Sequence, residues 1–162
     1  MNEARFSSTK RAFAMTCGVQ IGIGASSATI WSILTDAAGY GRWNSTVERL
    51  EGVVREGETL KIHVPGTARV FTPKVTGVVV GERMTWADGI AGVFKGVRQF
   101  ELTPRPDGST DFAMSERFSG AMLPLVGRLL PDFKPIFEAY AGDLREEAEA
   151  REPRQLKAGG VR

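Results

Sequence analysis

The chain has almost none of the residues that build metal clusters or disulfides. It holds one cysteine, Cys17, and one histidine, His63, in 162 residues. An internal disulfide is impossible, and no Cys/His zinc set can be assembled. No loop has calcium-ligand spacing, so neither a metal nor a cofactor is expected. Apolar runs of the roughly 18 residues that span a bilayer are missing, which argues against stable membrane insertion. Residues 1–11 lack the apolar stretch of a secretory signal, and a cytoplasmic location is the expectation. Concentrated basic charge is absent too. The net charge is +2, but residues 1–11 carry three basic groups against one acid, and residues 151–162 four against one. The body between them is net acidic. A nucleic-acid binder gathers positive charge on its folded body, so nucleic acid is not an expected partner.

What is present suits a globular chain. Hydrophobic residues make up 42% and charged residues 25%, enough for one substantial core. No repeat or second domain is visible. A single domain over residues 12–150 is expected, with flexible ends at 1–11 and 151–162. Nothing in the pattern points to an oligomeric state.

Residues 12–24 alternate. Phe13, Met15, Cys17, Val19, Ile21 and Ile23 share one face, and Thr16, Gly18 and Gln20 the other, as in a half-buried strand. Ser26 or Ser27 then reads as a helix N-cap. Ile30, Trp31, Ile33 and Leu34 give a short amphipathic helix, and residues 36–44 a turn or second short helix. Turn signals follow at Gly57, Pro65-Gly66, Gly81, Asp88-Gly89 and Pro106-Asp107-Gly108. They separate expected strands near 46–54, 58–64, 68–80, 83–87, 93–103 and 110–118, close enough in sequence to be antiparallel. Beyond Gly120 the period becomes helical through Val126, Leu129, Leu130, Phe133, Phe137, Tyr140, Ala141, Leu144 and Ala148. Proline suits only the first turn of a helix. Pro131 and Pro135 therefore predict a long helix from about Asp132 to Ala150, with residues 122–130 forming a separate short helix. The predicted fold is α+β: a curved antiparallel sheet of about seven strands around a long C-terminal helix, with two short helices after the first strand.

This order of elements resembles the helix-grip fold of the START-like, or SRPBCC, superfamily. The segment from Ala25 to Asp36 is similar to the family's first helix, and Tyr40-Gly41-Arg42-Trp43-Asn44 to the turn that follows it. Phe94-Lys95-Gly96 with Phe100-Glu101-Leu102, then Glu116-Arg117-Phe118-Ser119-Gly120, resembles the last hairpin of bacterial members. The resemblance covers roughly residues 12–150. It implies an apolar cavity under the long helix for lipids, sterols or polyketides, and some relatives are polyketide cyclases or dehydrases. Fold implies a pocket more securely than an activity.

Several motifs have plainer readings. Gly22-Ile23-Gly24-Ala25-Ser26-Ser27 invites a dinucleotide-binding reading, but Ser27 stands where the third glycine belongs and no βαβ unit follows. His63 shares a face with Thr59 and Lys61 opposite Leu60, Ile62 and Val64, so it reads as solvent-facing. Cys17 reads as a small buried hydrophobe, and the two patterns do not bring it to His63.

The informative positions are Glu116 and Arg98. Glu116 stands in the apolar row Phe112, Met114, Phe118, and Arg98 in the row Phe94, Phe100, Leu102. If Leu102 faces Phe112 across the Pro106-Asp107-Gly108 turn, Phe100 faces Met114 and Arg98 faces Glu116. Opposed strand residues have Cβ atoms about 4.5–5.5 Å apart, within reach of an ion pair. Such a pair is either a structural buried salt bridge or the polar anchor of an apolar ligand site. The expected ligand-contacting set is Arg98, Glu116, Trp86, Phe94, Phe112, Met114, Phe71, Phe137, Tyr140 and Trp43. Of these, Trp86, Phe94, Phe112, Met114, Phe137 and Tyr140 would line a cavity of a few hundred Å3, the usual size of such sites, gated by residues 122–131 and nearby loops. No nucleophile–base–orienter set is present, so no residue is assigned as catalytic. Binding or carriage of a hydrophobic, lipid-like, polyketide-like or aromatic molecule is favoured over the alternative, a cyclase- or dehydrase-type enzyme using Glu116 as acid/base and Arg98 as an oxygen contact.

Overall fold

The computed structural model describes residues 3–152, so the expected flexible tail from residue 153 onward lies outside the described residues. Residues 5–11, expected to be a flexible end, instead form a strand, β1 (Arg5–Arg11). It pairs residue for residue with β2 (Ala14–Ile23) through a tight turn at Ala12-Phe13. Phe13, expected on the inner face of one long strand, sits in that turn and is 61% exposed. Of β1 only Phe6 turns a large side chain inward, edge-on to Phe137 at 6.2 Å. The rest is polar and exposed, as suits an edge strand.

Ser26 caps α1 (Ser27–Thr35) by accepting the Thr29 N–H at 3.2 Å. A 3-10 turn, Ala37–Gly39, leads into the one-turn helix α2 (Tyr40–Trp43). Then come β3 (Arg49–Glu51), β4 (Lys61–His63), β5 (Val70–Phe71), β6 (Lys74–Val79), β7 (Arg83–Ile90), β8 (Phe94–Pro104) and β9 (Thr110–Ser119). The expected strand over 68–80 is cut at Pro73, which has no N–H to donate to a ladder. Its carbonyl accepts the Leu60 N–H at 2.9 Å instead. The nine strands fall into two antiparallel sheets. The larger has the order β1-β2-β9-β8-β7-β6, and the smaller β3-β4-β5. The register of β6 against β7 slips between Thr76 and Val79, where Gly77 takes a φ of 63°.

The chain ends in α3 (Leu123–Val126) and α4 (Phe133–Arg151). Asp132 caps α4 by accepting the Lys134 N–H at 3.0 Å, and Pro135 falls in its first turn, where proline is tolerated. The short helix is less than the expected 122–130, and Leu129 is 84% exposed and not on the core face. Phe137, Tyr140, Ala141, Leu144 and Ala148 form the buried stripe of α4, which packs over β2 and β1. Its C-terminal half is pinned. Glu149 accepts the Gly24 N–H at 2.9 Å, Glu152 the Ser26 N–H at 3.2 Å, and Asp143 the Ser45 N–H and hydroxyl at 2.8 and 2.6 Å. Arg151 and Glu152, expected in the flexible tail, thus close α4. The architecture is the α+β helix grip, with the core between sheet and helix.

Candidate functional site

The β8–β9 hairpin builds the polar centre of the site. Its turn is held by the Arg105 N–H to Ser109 O bond at 2.8 Å and by Asp107, whose carboxylate accepts the Ser109 N–H at 2.9 Å. That closure sets the register Leu102–Phe112, Phe100–Met114, Arg98–Glu116, as the alternation requires. The row continues on both sides: Cys17 of β2 lies opposite Glu116, and Trp86 of β7 opposite Arg98. Cys17, Glu116, Arg98 and Trp86 therefore form one line across four adjacent strands, on the face that α4 covers.

Arg98 gives Glu116 Oε2 two hydrogen bonds, from Nε at 3.1 Å and Nη2 at 2.6 Å. The side chains are only 20% and 15% exposed. From above, the Phe137 ring of α4 lies 5.4 Å from the guanidinium carbon, a cation–π contact. Burial alone would push the Arg98 guanidinium down. The charge and hydrogen bonds of Glu116, with smaller help from Tyr140 and Tyr40, hold it above its ordinary value. Cys17 is 2% exposed. Burial first, and the Glu116 charge second, push its thiol up to about 12, against a small opposing pull from Arg98. A thiol held protonated is no nucleophile.

One turn along α4, Tyr140 meets Tyr40 of α2, hydroxyl to hydroxyl at 3.1 Å, and the Tyr40 hydroxyl lies 2.9 Å from the Leu34 carbonyl. A carbonyl only accepts, so Tyr40 donates to it and Tyr140 donates to Tyr40. Burial is the main reason that Tyr140 is pushed up to about 12 and Tyr40 well above the usual range. Around this pair stand Trp43, 4.9 Å from the Tyr40 ring and 5.7 Å from the Tyr140 ring, and Trp86, 6.2 Å from the Tyr40 ring. Three buried donors here have no partner among the described residues: the indole Nε1 of Trp43, that of Trp86, and Nδ2 of Asn44. Asn44 spends its side-chain oxygen on Thr46.

Most of the expected set is thus gathered under α4. Trp86, Phe112, Met114, Phe137, Tyr140 and Trp43 are buried in the core, and Arg98 and Glu116 pair among them. Phe94 is half-buried at the margin, stacked on Phe118 at 5.9 Å, which in turn stacks on Phe133 at 5.2 Å. Phe71 packs against this core only from its edge, half-buried. It lies on the small sheet beneath the Arg69 guanidinium, 4.9 Å away. Between sheet and helix, Trp86 meets Phe100 at 4.8 Å and Phe112 stacks on Tyr140 at 6.4 Å. Two shallow concavities lie elsewhere, and neither coincides with the expected cavity under α4. One, of about 180 Å3, is on the outer face of the large sheet around Gln20 and Gln99. The other, of about 350 Å3, is lined by Glu48, Arg49, His63, Thr67 and Ala68. His63 shares Glu51 with Arg49 there, at 3.1 and 2.7 Å, on the solvent side of the small sheet, as alternation predicts.

Sequence reasoning did not assign Tyr40, Asn44 or Cys17 to the site. Tyr40 and Asn44 flank Trp43, so their motif was in view, but nothing local says that Tyr40 reaches a helix 100 positions away. Among the described residues, no group of histidine, cysteine and carboxylates could hold a metal ion. No helix of theirs is long and apolar enough to cross a membrane.

Comparison with known proteins fits this geometry. Residues 16–149 match the family model described as polyketide cyclase/dehydrase and lipid transport. No curated protein sequence matches the chain significantly. Among solved structures, an aromatase/cyclase from a Streptomyces species superposes with a TM-score of 0.66 at 17% identity, over 98% of this chain and 100% of that one. A START superfamily protein from Mycobacterium smegmatis gives 0.57 at 20%, over 84% and 95%. A norcoclaurine synthase mutant from Thalictrum, solved with a transition-state analogue, gives 0.64 at 15%, over 86% and 94%. At these identities the superpositions speak for the fold.

Proposed function

Because the chain belongs to the family of polyketide cyclases, dehydrases and lipid-transport proteins, we propose that it binds a hydrophobic small molecule whose polar end carries oxygen acceptors. The ligand lies between the large sheet and α4. The observation that carries this reading is the buried Arg98–Glu116 pair, set in an apolar row with the Trp86 indole on the neighbouring strand and the donors of Trp43 and Asn44 near the tyrosine pair, all three unpartnered among the described residues. An unsatisfied buried donor costs about 1–3 kcal/mol, and all three want an acceptor. An apolar chamber with a few convergent polar groups is the usual design of a small-molecule site. Ketone, quinone, carboxyl or ester oxygens would suit it, and a bare hydrocarbon would not.

Entry of such a molecule under α4 needs a way in between the helix and the sheet. The C-terminal half of α4 is tied down by Asp143, Glu149 and Glu152. The N-terminal end, with α3 and residues 127–132, is the natural gate. Phe133, Phe118 and Phe94 would be the rings that move there, and Phe71 is a peripheral member of the set at most.

A second reading is a cyclase- or dehydrase-type enzyme. One observation favours it: both Arg98 bonds go to Oε2, and Oε1 of Glu116 takes no hydrogen bond among the described residues, which leaves it able to accept a proton from a bound ligand. Arg98 would then hold an oxygen of the ligand. The protonated Cys17 and the tyrosine pair add no nucleophile.

Mass spectrometry of small molecules released from the purified protein tests the binding reading, together with titration of an environment-sensitive apolar dye. The double variant Arg98→Met/Glu116→Leu should keep the fold and lose the binding. A protein that yields no small molecule and binds no dye sinks the proposal. Conversion of a bound polyketide-like ketone, lost in Glu116→Gln, would select the enzyme reading.

A further inference from the structure

Six large apolar side chains stand in solvent at one end of the molecule. They are Phe13 at 61% exposure, Ile90 at 68%, Val93 at 48%, Met122 at 40%, Leu125 at 70% and Leu129 at 84%. Singly, an exposed apolar residue means nothing. These are contiguous, because backbone hydrogen bonds tie their loops together. The Gly120 N–H donates to Phe13 O at 3.1 Å, Ala121 to Gly92 O at 3.0 Å, Met122 to Val93 O at 3.0 Å, and Val93 to Ile90 O at 3.1 Å. Leu125 and Leu129 follow on the next two turns, through bonds to Met122 O and Val126 O. The β1–β2 turn, the β7–β8 turn and the α3 segment thus form one apolar knuckle. Gly120 lets them close this tightly: its φ is 127°, and a Cβ there would strike the Val93 carbonyl.

The charges around the knuckle are mostly basic. Lys10 and Arg11 end β1, Lys95 begins β8, and Arg128 follows α3. None of the four forms an ion pair among the described residues. Two acids stand nearby, each held by backbone N–H groups. Asp88 accepts the Thr72 and Gly89 N–H groups at 3.0 and 2.8 Å, and Asp132 caps α4. Apolar tips ringed by mainly basic groups are the pattern of a surface that seats in the headgroup layer of an anionic bilayer. The tips are convex loop ends, so they suit a yielding lipid surface. They offer no groove for a helix or strand of a partner.

We infer that this end of the molecule docks peripherally on anionic lipid bilayers, with the knuckle dipping into the acyl boundary and the basic ring on the headgroups. The knuckle includes the gate segment, so docking would bring the mouth of the proposed site to the membrane. The inference itself needs no ligand and stands apart from the binding reading.

Co-sedimentation of the full chain with vesicles tests it. One set is phosphatidylcholine alone, the other roughly one-third phosphatidylglycerol, an anionic content near that of natural leaflets. The protein should pellet with the anionic set, weakly with the neutral one, and less as salt rises. Leu125→Ser/Leu129→Ser, at the two most exposed positions, should cut the partition about tenfold or more, as loss of buried apolar area requires. Lys95→Glu/Arg128→Glu should do the same on anionic vesicles only. A wild-type protein that stays in the supernatant overturns the inference. So does undiminished binding by both variants, which would assign the attraction to the basic stretch beyond residue 152. Sedimentation equilibrium covers the remaining case: a dimer that the serine variant breaks, with no vesicle binding, makes the knuckle a self-association face and refutes lipid docking.

Discussion

Take the Arg98–Glu116 pair as a thermodynamic object. In Glu116→Leu the guanidinium loses bonds at 3.1 and 2.6 Å and keeps only the Phe137 ring, 5.4 Å away. Stranding one member of a buried pair costs about 3–5 kcal/mol. Side-chain exposures of 20% and 15% let water relieve part of this, so about 3 kcal/mol is the expected loss. Arg98→Met leaves the carboxylate among Phe112, Met114 and Phe118, at a similar cost. In Arg98→Met/Glu116→Leu no charge is stranded and apolar volume replaces the pair, which is often neutral or stabilising. The double variant should therefore fall within about 1 kcal/mol of wild type. At about 2–4 °C per kcal/mol for a chain of this size, each single variant should melt about 6–12 °C lower, and the double should recover most of that. Urea denaturation of all four proteins gives the coupling energy. Independent sites add to within about 0.5 kcal/mol, so singles that simply add in the double would refute the pairing as an energetic unit.

Other expectations follow from the same site. Both tyrosines of the chain belong to the buried pair, so the pH-dependent change in absorbance near 295 nm, over the constant absorbance of the tryptophans, reads it alone. The folded hydroxyls are raised, Tyr140 to about 12, so their contribution to stability is complete below the ordinary tyrosine pKa near 10 and fades as pH climbs toward 12. A native protein that ionised a tyrosine at pH 10 would contradict the buried pair. Cys17, raised to about 12 mainly by burial, should resist thiol reagents at pH 8 until the chain unfolds, and fast labelling would mean that β2 opens there. Its stabilising effect has the same sign, being present below the usual thiol value near 8.5 and lost above it. Gly120→Ala should cost about 1–3 kcal/mol, from a positive φ and a clash with Val93 O, read as a lower urea midpoint; an unchanged midpoint would mean that the knuckle relaxes freely.

Some of this was written in local sequence. The 3.6-residue spacing from Phe133 to Ala148 specifies α4 wherever it lands, and Asp132 with Pro135 fixes its start. The β8–β9 register needs only the alternation of both strands and the Pro106-Asp107-Gly108 turn, and from it the Arg98–Glu116 contact follows. These are short-range constraints: a period of two or 3.6 sets which side chains share a face, and a tight turn sets the pairing.

Other features exist only because distant parts meet. β1 carries no apolar period, and it is a strand because β2 offers an open edge that its backbone completes. Residues 68–80 read as one run, but Pro73 hands β5 to a second sheet. Tyr40 finds Tyr140, and Cys17 finds Glu116, across roughly a hundred residues. The indoles of Trp43 and Trp86, unpartnered among the described residues, and the ring contacts around them depend on how α2, the sheet and α4 pack together. Pattern says which face a side chain occupies; what stands opposite it, and whether any space remains between them, is decided only when the helix is laid on the sheet.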